Sequence, residues 1–297
     1  MVFCVLCVYV AMSFRPYLRE LWKEQPQEKI VLDKNVWGDA KEKAKNFISN
    51  LSEMKIESGV NYNIEDATAF VETYEIWENS LEKTYLAKEK LPESLRVTVG
   101  GGTLTIEPTT ENAIYIEAEG GFRLQGFVED GVLEIIMVSK SSFASDYEPA
   151  KVTLYLPEGL NFFKAEFGLG AGEILVNGLS AATLEIDVDA GAMEMTDVVA
   201  LDADLYVSAG SMKFAGDVKK TLLTSITAGS IALEMEGSVN DFNYYASEVA
   251  GGIVLDGESV YTEEDEAAKI DNGATKSMDL YCTMGEIKVD FTLSENN

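Results

Sequence analysis

Short apolar and β-branched runs, separated by glycine-rich turns, fill the chain from about residue 95 to its C-terminus. Gly100–Gly102 and Asp130–Gly131 are two of these turns. Runs of this length between glycines are typical of β-strands, and no helical periodicity follows Lys90. The pattern therefore predicts an all-β region. Its first runs are Val97–Val99, Leu104–Ile106, Ile114–Ile116, Val132–Val138 and Val152–Leu156.

A short motif, Ala-Gly-x-apolar, then recurs with a fixed period. Its glycines are Gly172, Gly191, Gly210 and Gly229, each 19 residues after the one before. A fixed period with apolar residues in constant slots indicates that each repeat is one rung of a stack, here a β-solenoid with rungs of about 19 residues. The apolar slots are predicted to point inward and their polar neighbours outward. The slots hold Leu169, Val188, Val207 and Ile226 before each glycine, and Val176, Met195, Phe214 and Leu233 after it.

The glycine of each repeat is expected at a sharp corner of the rung, with the preceding alanine packed inside the bend. The motif returns less regularly around Gly251 and Gly285, which brings the solenoid to about six rungs. In the final rung Cys282 occupies the slot of Val188. We therefore expect Cys282 to face inward as a small buried hydrophobe and not as a reactive thiol.

The first residues have a different character. Residues 2–14 are uncharged and almost wholly apolar, and Arg15 and Arg19 follow them. This run is shorter than the roughly 20 residues that span a bilayer. We interpret residues 1–14 as a membrane anchor or an export signal, with a buried soluble segment as the alternative.

Residues 15–94 are predicted to form a helical linker or cap in front of a solenoid domain at residues 95–297. An open β-stack needs a cover at its ends, because an uncovered end exposes apolar core and unpaired strand edges. Two apolar stripes at helical spacing, the second closed by Pro92, carry this prediction. The stripes are Ala44, Phe47, Ile48 and Leu51, and then Phe70, Tyr74, Trp77, Leu81 and Tyr85.

Charge and composition exclude several classes of function. The chain has 51 acidic and 23 basic residues, a net charge of −28, which repels nucleic-acid phosphates. It has no histidine, so histidine-activated nucleophiles and histidine-ligated zinc are absent. Its three cysteines supply neither a disulfide framework nor a zinc site of usual spacing. We expect no cofactor and no nucleic-acid partner.

A calcium-binding solenoid would repeat an aspartate in one slot of every rung. Here the slot of Asp187 holds Tyr206 and then Ser225, so no ladder of ligands is formed and no metal site is predicted in the repeats. The acidic run Glu263–Glu266 is interpreted as a solvated loop, with a loosely held cation as the alternative.

Glu185 and Asp204 are one repeat apart and are therefore expected to be neighbours on an outer face, about 4.8 Å apart. Paired carboxylates are the tool of polysaccharide-cleaving enzymes. Nothing in the surrounding sequence marks a cleft, so we assign no catalytic residue and expect a protein that is not an enzyme. Tyr206, Tyr244 and Tyr261 fall outside the apolar slots and are candidates for contact with a partner.

The segment Leu95–Phe291 resembles a bacterial family of adhesins built from β-strand repeats, the LiaG-like group. The resemblance rests on Leu95–Val99 with the Gly-Gly-Thr-Leu that follows, on Thr153–Gly159 at the start of the repeats, and on the serial Ala-Gly rungs. It implies a β-solenoid, often with a short N-terminal membrane segment, and no catalytic residue.

We therefore expect a binding module at the cell envelope, attached to the membrane through residues 2–14, with the repeats outside the cytoplasm. Its partner would be a protein or glycan at a cell surface. The alternative is an envelope scaffold or stress-response component that binds a membrane protein of the same cell.

Overall fold

The computed structural model describes residues 76–78, 81–120, 122–139, 151–260 and 267–292. These residues form one open sheet of 17 strands and a single turn of 3-10 helix at Val239–Asp241. The strands are β1 Ile76–Glu78, β2 Leu81–Ala87, β3 Ser94–Val99, β4 Thr103–Thr109, β5 Ile114–Glu119, β6 Phe122–Glu129, β7 Val132–Ser139, β8 Lys151–Pro157, β9 Asn161–Leu169, β10 Glu173–Val188, β11 Ala192–Val207, β12 Ser211–Glu236, β13 Phe242–Glu248, β14 Gly252–Leu255, β15 Glu258–Ser259, β16 Ala268–Ile270 and β17 Lys276–Thr292.

The long strands stack in parallel, with the repeat period as their register. Glu173 of β10 lies opposite Ala192 of β11, and Ala192 lies opposite Ser211 of β12. Each rung has two arms. In β10 the short arm, Glu173–Val176, pairs with β4, and the long arm, Ser180–Val188, pairs with β9. The all-β prediction is confirmed for the described residues, whose strands are arranged as in a β-solenoid.

The predicted inward slots form the core. Val188, Val207, Ile226 and Cys282 stack on one another and are all buried. Burial raises the pKa of the Cys282 thiol, which disfavours the reactive thiolate. The inward position expected for Cys282 is therefore confirmed.

The rungs do not follow chain order at the C-terminal end. β17 pairs in parallel with β12 on one side, where Gly285 lies opposite Gly229. On its other side β17 pairs in parallel with β13 and β14, where Ile287 lies opposite Ile253. The rung of Gly285, last in the sequence, is thus enclosed between two earlier rungs.

The same kind of insertion occurs at the N-terminal end. β3 lies between β7 and β9, and β4 lies between β8 and β10, all in parallel. Antiparallel strands then follow at both ends of the stack: β5, β6, β1 and β2 at one end, and β15 and β16 at the other. These strands cover most of the last parallel edges, which would otherwise be open to pairing with other chains.

The helix predicted from the second apolar stripe is wrong, because Ile76–Glu78 and Leu81–Ala87 are strands. Trp77, Leu81 and Tyr85 follow one another at intervals of four residues. This interval is twice the two-residue period of a strand and is also close to one turn of a helix, so the spacing fits both structures. The sheet supplies partners for this segment, since β2 pairs with β5 and β1 with β6. The first stripe, residues 44–51, and the apolar residues 2–14 lie outside the described residues.

The corner glycines are required by close approach between rungs. A Cβ atom on Gly210 would lie 2.3 Å from the carbonyl oxygen of Gly191, and one on Gly229 would lie 2.0 Å from that of Gly210. No side chain fits at such distances. The expectation that the preceding alanine packs inside the bend is wrong, because Ala171 and Ala190 are exposed and Ala209 and Ala228 are only half-buried. At this corner the alanine lies on the solvent side, and the glycine lies against the neighbouring rung.

Candidate functional site

The outer face of the long arms carries two columns of side chains, one residue from each rung. The pairing of successive strands places these residues side by side, and most of them are half-buried because neighbours in a flat sheet shield one another. The first column runs Glu134, Arg96, Glu166, Glu185, Asp204, Leu223, Asp279 and Tyr245, and the second runs Ile136, Thr98, Gly168, Asp187, Tyr206, Ser225, Tyr281 and Ser247.

One end of the first column is a ladder of ion pairs. The Arg96 guanidinium lies 3.7 Å from the Glu134 carboxylate and 3.1 Å from that of Glu166. Lys164 Nζ lies 2.8 Å from Glu166 and 3.1 Å from Glu185. Burial by itself would raise the pKa of Glu166, but hydrogen bonds from Lys164 and Arg96 outweigh it and lower that pKa. Glu166 is therefore ionised and paired with two cations.

Glu185 and Asp204 are neighbours on the outer face, as the repeat predicts. Glu185 also forms the ion pair with Lys164. A glycoside-cleaving pair needs one carboxyl group that holds a proton near neutral pH. Glu185 instead lies in an ion pair, with its carboxylate 3.1 Å from Lys164 Nζ. The environment of Glu185 is thus that of a sheet-stabilising residue.

The other end of the face carries three tyrosines. Asp204 and Tyr206 project from β11, and Asp279 and Tyr281 project from β17 in the same two columns. Tyr245 of β13 pairs with Asp279, and its ring centroid lies 5.5 Å from that of Tyr281. We call these five residues the tyrosine–aspartate patch.

A single rung separates the two halves of the patch. Leu223 lies between Asp204 and Asp279, and Ser225 lies between Tyr206 and Tyr281. Two rung spacings amount to about 10 Å. The small Ser225 side chain therefore leaves a shallow gap between two tyrosine rungs.

The patch is a partly desolvated, negatively charged surface. Burial raises the pKa of the Asp279 carboxyl group, and no cation or hydrogen-bond donor among the described residues accompanies that carboxylate. Burial also raises the pKa of the Tyr281 hydroxyl, and the nearby charge of Asp279 adds to the effect. Asp279 thus differs from Glu166 and Glu185, which have cationic partners.

The three tyrosines named from the sequence have different positions. Tyr206 lies in the patch. Tyr244 is buried, and its hydroxyl donates a hydrogen bond of 2.7 Å to the carbonyl oxygen of Val239, so its prediction as a contact residue is wrong. The outward-facing residue is its neighbour, Tyr245. Tyr261 lies outside the described residues.

Sequence reasoning missed Asp279 and Tyr281, although a signal for them exists. Asp279-Leu280-Tyr281 repeats the triplet Asp204-Leu205-Tyr206, and in both triplets the leucine is buried. The triplets also precede equivalent inward residues, Cys282 and Val207. An alignment of the last rung on its outward residues would have found the pair.

In the part of the chain that the structure describes, no group of three or more acidic or cysteine side chains is arranged to hold a metal ion. The predicted acidic loop, Glu263–Glu266, lies outside that part. Within the same residues, no helix has the length and apolar character needed to cross a bilayer.

Parallel rungs with antiparallel ends define an all-β protein with an open, solenoid-like sheet. The chain belongs to the Toastrack DUF4097 family, whose model matches residues 52–292. This match confirms the family resemblance seen in the repeats. No curated protein matches the chain.

Solved structures of bacterial proteins are similar to this chain at low sequence identity. A "putative cell adhesion protein" from Clostridium sporogenes is 12% identical, covers 74% of this chain and 100% of its own, and gives a TM-score of 0.43. A "putative adhesin" from Bacteroides fragilis is 11% identical, covers 72% of this chain and 97% of its own, and gives 0.36. A "putative lipid binding protein" from Parabacteroides distasonis is 10% identical, covers 75% of this chain and 95% of its own, and gives 0.31. These names describe those proteins and carry no argument about the ligand of this chain.

Proposed function

We propose that this chain is a non-enzymatic binding module that acts outside the cytoplasm as a cell-surface adhesin. The observation that carries the proposal is the tyrosine–aspartate patch on the flat outer face of the long arms. Tyrosine offers a large contact area at a low cost in side-chain entropy and is enriched at binding hot spots. The patch collects three tyrosines on one surface, two of them on adjoining rungs and the third separated from these by a single rung.

The chemistry of the same face supports binding over catalysis. Lys164 neutralises Glu185, and the chain has no histidine to act as a general base. The net charge of −28 disfavours nucleic acid, so the expected partner is a protein or glycan at a cell surface. The proposal includes attachment of the chain to the membrane through residues 2–14.

The test has two parts and uses the full-length chain in cells. First, protease is added to intact cells and to lysed cells, and cleavage of the chain is followed with an antibody. Cleavage on intact cells is the expected result, and cleavage only after lysis would overturn extracytoplasmic display.

Second, adhesion of cells that display the chain is compared with that of cells displaying the double variant Tyr206→Ser/Tyr281→Ser. We expect the double variant to lose most of the adhesion. Phe163→Ser is the matched control, because it removes an aromatic ring that is 74% exposed and lies outside the patch. Equal adhesion by the wild type and the double variant would contradict a role for the patch.

A second candidate function, an envelope scaffold that binds a membrane protein, has an observation of its own. Phe163, Ala182 and Leu201 occupy the same position in successive rungs, and Phe163 and Leu201 are 74% and 46% exposed. An exposed apolar column of this kind fits a protein partner. Loss of a co-purifying membrane protein in Phe163→Ser/Leu201→Ser, with adhesion unchanged, would favour this function.

A further inference from the structure

The two ends of the outer face differ in how their carboxylates are compensated. At the first end, Glu134, Glu166 and Glu185 lie within reach of Arg96 or Lys164. At the second end, Asp279 has an aliphatic neighbour, Leu223, and an aromatic one, Tyr245. A half-buried carboxylate without a cation is costly, and a bound cation would remove that cost.

The rings around Asp279 are suited to a cation. Tyr245 pairs with Asp279 across the strands, and the Tyr281 ring lies 5.5 Å from that of Tyr245 at an angle of 46°. The faces of aromatic rings attract cations through their quadrupole, most strongly where water is partly excluded.

An ammonium group of the protein already lies at the edge of this surface. Lys269 Nζ in β16 is 5.7 Å from the centroid of the Tyr245 ring, near the outer limit of a cation–π contact. The Lys269 side chain is exposed and comes from the end of the stack. A cation bound at the patch would compete with this ammonium group for the Tyr245 ring.

We propose that the tyrosine–aspartate patch binds a quaternary ammonium group, with Asp279 as the counter-charge, Tyr245 and Tyr281 as the aromatic wall, and Tyr206 across the gap at Ser225. The ligand class is quaternary and not primary ammonium. A quaternary ammonium group has no N–H donor and is held by aromatic faces beside a negative charge, the contacts that Tyr245, Tyr281 and Asp279 offer. This inference rests on the proposed function and names the ligand chemistry of the same site.

The first experiment titrates choline into the purified full-length chain at constant ionic strength, with binding followed by calorimetry. We expect saturable binding, and weaker binding of ethanolamine, which has the same chain length but a primary ammonium group. Asp279→Asn and Tyr281→Leu are expected to weaken choline binding by about 10-fold each, within the range of desolvated cation–π and charge contacts.

Two further variants separate a site from a general charge effect. Glu194→Gln removes one negative charge from an exposed short-arm residue and should leave choline affinity unchanged. Lys269→Met removes the competing ammonium group and should strengthen binding at least about 2-fold. A merely structural role of the patch would not produce this gain. Absence of saturable choline binding, or equal affinity in wild type and Asp279→Asn, would overturn the inference.

Vesicles with phosphatidylcholine headgroups, compared with vesicles of phosphatidylglycerol, distinguish a lipid source from a free one. If the chain binds phosphatidylcholine vesicles and free choline displaces it from them, the ligand is a lipid headgroup. If the chain binds choline but not these vesicles, the ligand is a soluble molecule. Adhesion that depends on Tyr206 and Tyr281 but is not displaced by choline would leave the proposed function standing and overturn the ligand class. Choline binding without patch-dependent adhesion would leave the ligand class standing and overturn the proposed function.

Discussion

Cys282 of β17 pairs in parallel register with Ile226 of β12, although β13, β14 and the antiparallel strands β15 and β16 separate the two residues in sequence. The C-terminal strand is therefore held on both edges, by β12 and by β13 and β14. Its inward residues Met278, Leu280 and Cys282 are all buried. β17 thus completes the core and joins the regular repeats to the rung formed by β13 and β14.

Hydrogen exchange should reveal this position. We expect the amides of Met278–Cys282 to exchange as slowly as those of Leu222–Ile226, because both segments are hydrogen-bonded on two sides. Amides of β16, Ala268–Ile270, pair only with β13 and should exchange much faster. Mass spectrometry of exchanged peptides measures this order. Exchange of Met278–Cys282 as fast as that of β16 would place β17 outside the stack.

Replacing a corner glycine should disrupt the stacking of rungs. In Gly210→Ala the new Cβ atom would lie 2.3 Å from the carbonyl oxygen of Gly191 and 2.8 Å from a methyl carbon of Val188. We expect a loss of about 3 kcal/mol or more in the free energy of unfolding, since the contact is with backbone that cannot move alone.

Gly252→Ala is the matched control for that variant. A Cβ atom on Gly252 has no neighbour within 4 Å among the described residues. Its free energy of unfolding should change by no more than about 0.5–1 kcal/mol. Urea unfolding followed by circular dichroism compares the two variants, and similar losses in both would show that close approach is not the cause.

Replacing one buried hydroxyl group in the core by a methyl group should raise the free energy of unfolding. Thr224 is fully buried between Leu205 and Leu280, and its Oγ1 has no hydrogen-bond partner among the described residues. Thr224→Val keeps the shape and removes the unsatisfied hydroxyl, so we expect about 1–2 kcal/mol of added stability. Thr221→Val, at an outward position of the same strand, should have little effect. A destabilised Thr224→Val would indicate a partner for the hydroxyl.

Asp217 should make stability depend on pH in the acid range. Its carboxylate is 6% exposed, accepts a hydrogen bond of 3.0 Å from Lys276 Nζ and also contacts Lys219. Burial by itself would raise its pKa, but the two lysines outweigh burial and lower that pKa below the ordinary 3.8. The stability that Asp217 contributes is thus fully present above about pH 4 and is lost as the pH falls through the folded-state pKa.

Asp217→Asn should therefore cost about 1–3 kcal/mol at pH 7, the range for hydrogen bonds to a charged group. The difference from wild type should shrink as the pH falls below about 4. Glu194→Gln, whose pair with Lys213 is exposed, should show neither effect. Urea unfolding across this pH range measures the difference, and a constant difference would mean that the ionisation of Asp217 does not stabilise the fold.

Much of the repeat was predictable because its signals are local and periodic. The inward positions of Val188, Val207 and Ile226 follow from their constant distance to the motif glycines. The segment before residue 95 lacked such a repeat, and the spacing of Trp77, Leu81 and Tyr85 suits a strand as well as a helix. Only the available partners, β5 and β6, decided between the two.

The site was predictable only in part. Tyr206 was placed on an outer face from its slot, but Tyr244 was chosen over Tyr245 because the strand after Val239 no longer keeps the 19-residue period. Without that period, the inward and outward sets can be exchanged by a shift of one residue.

The sequence by itself determined the all-β class, the rung length and the inward slots, because each depends on residues within one or two repeats. The tertiary structure alone decided which rungs are neighbours, since strand pairing over long separations leaves no periodic trace in the sequence. It placed β17 beside β12 and so left a single rung between Asp279 and Tyr281 on one side and Asp204 and Tyr206 on the other. The tyrosine–aspartate patch exists because of that insertion.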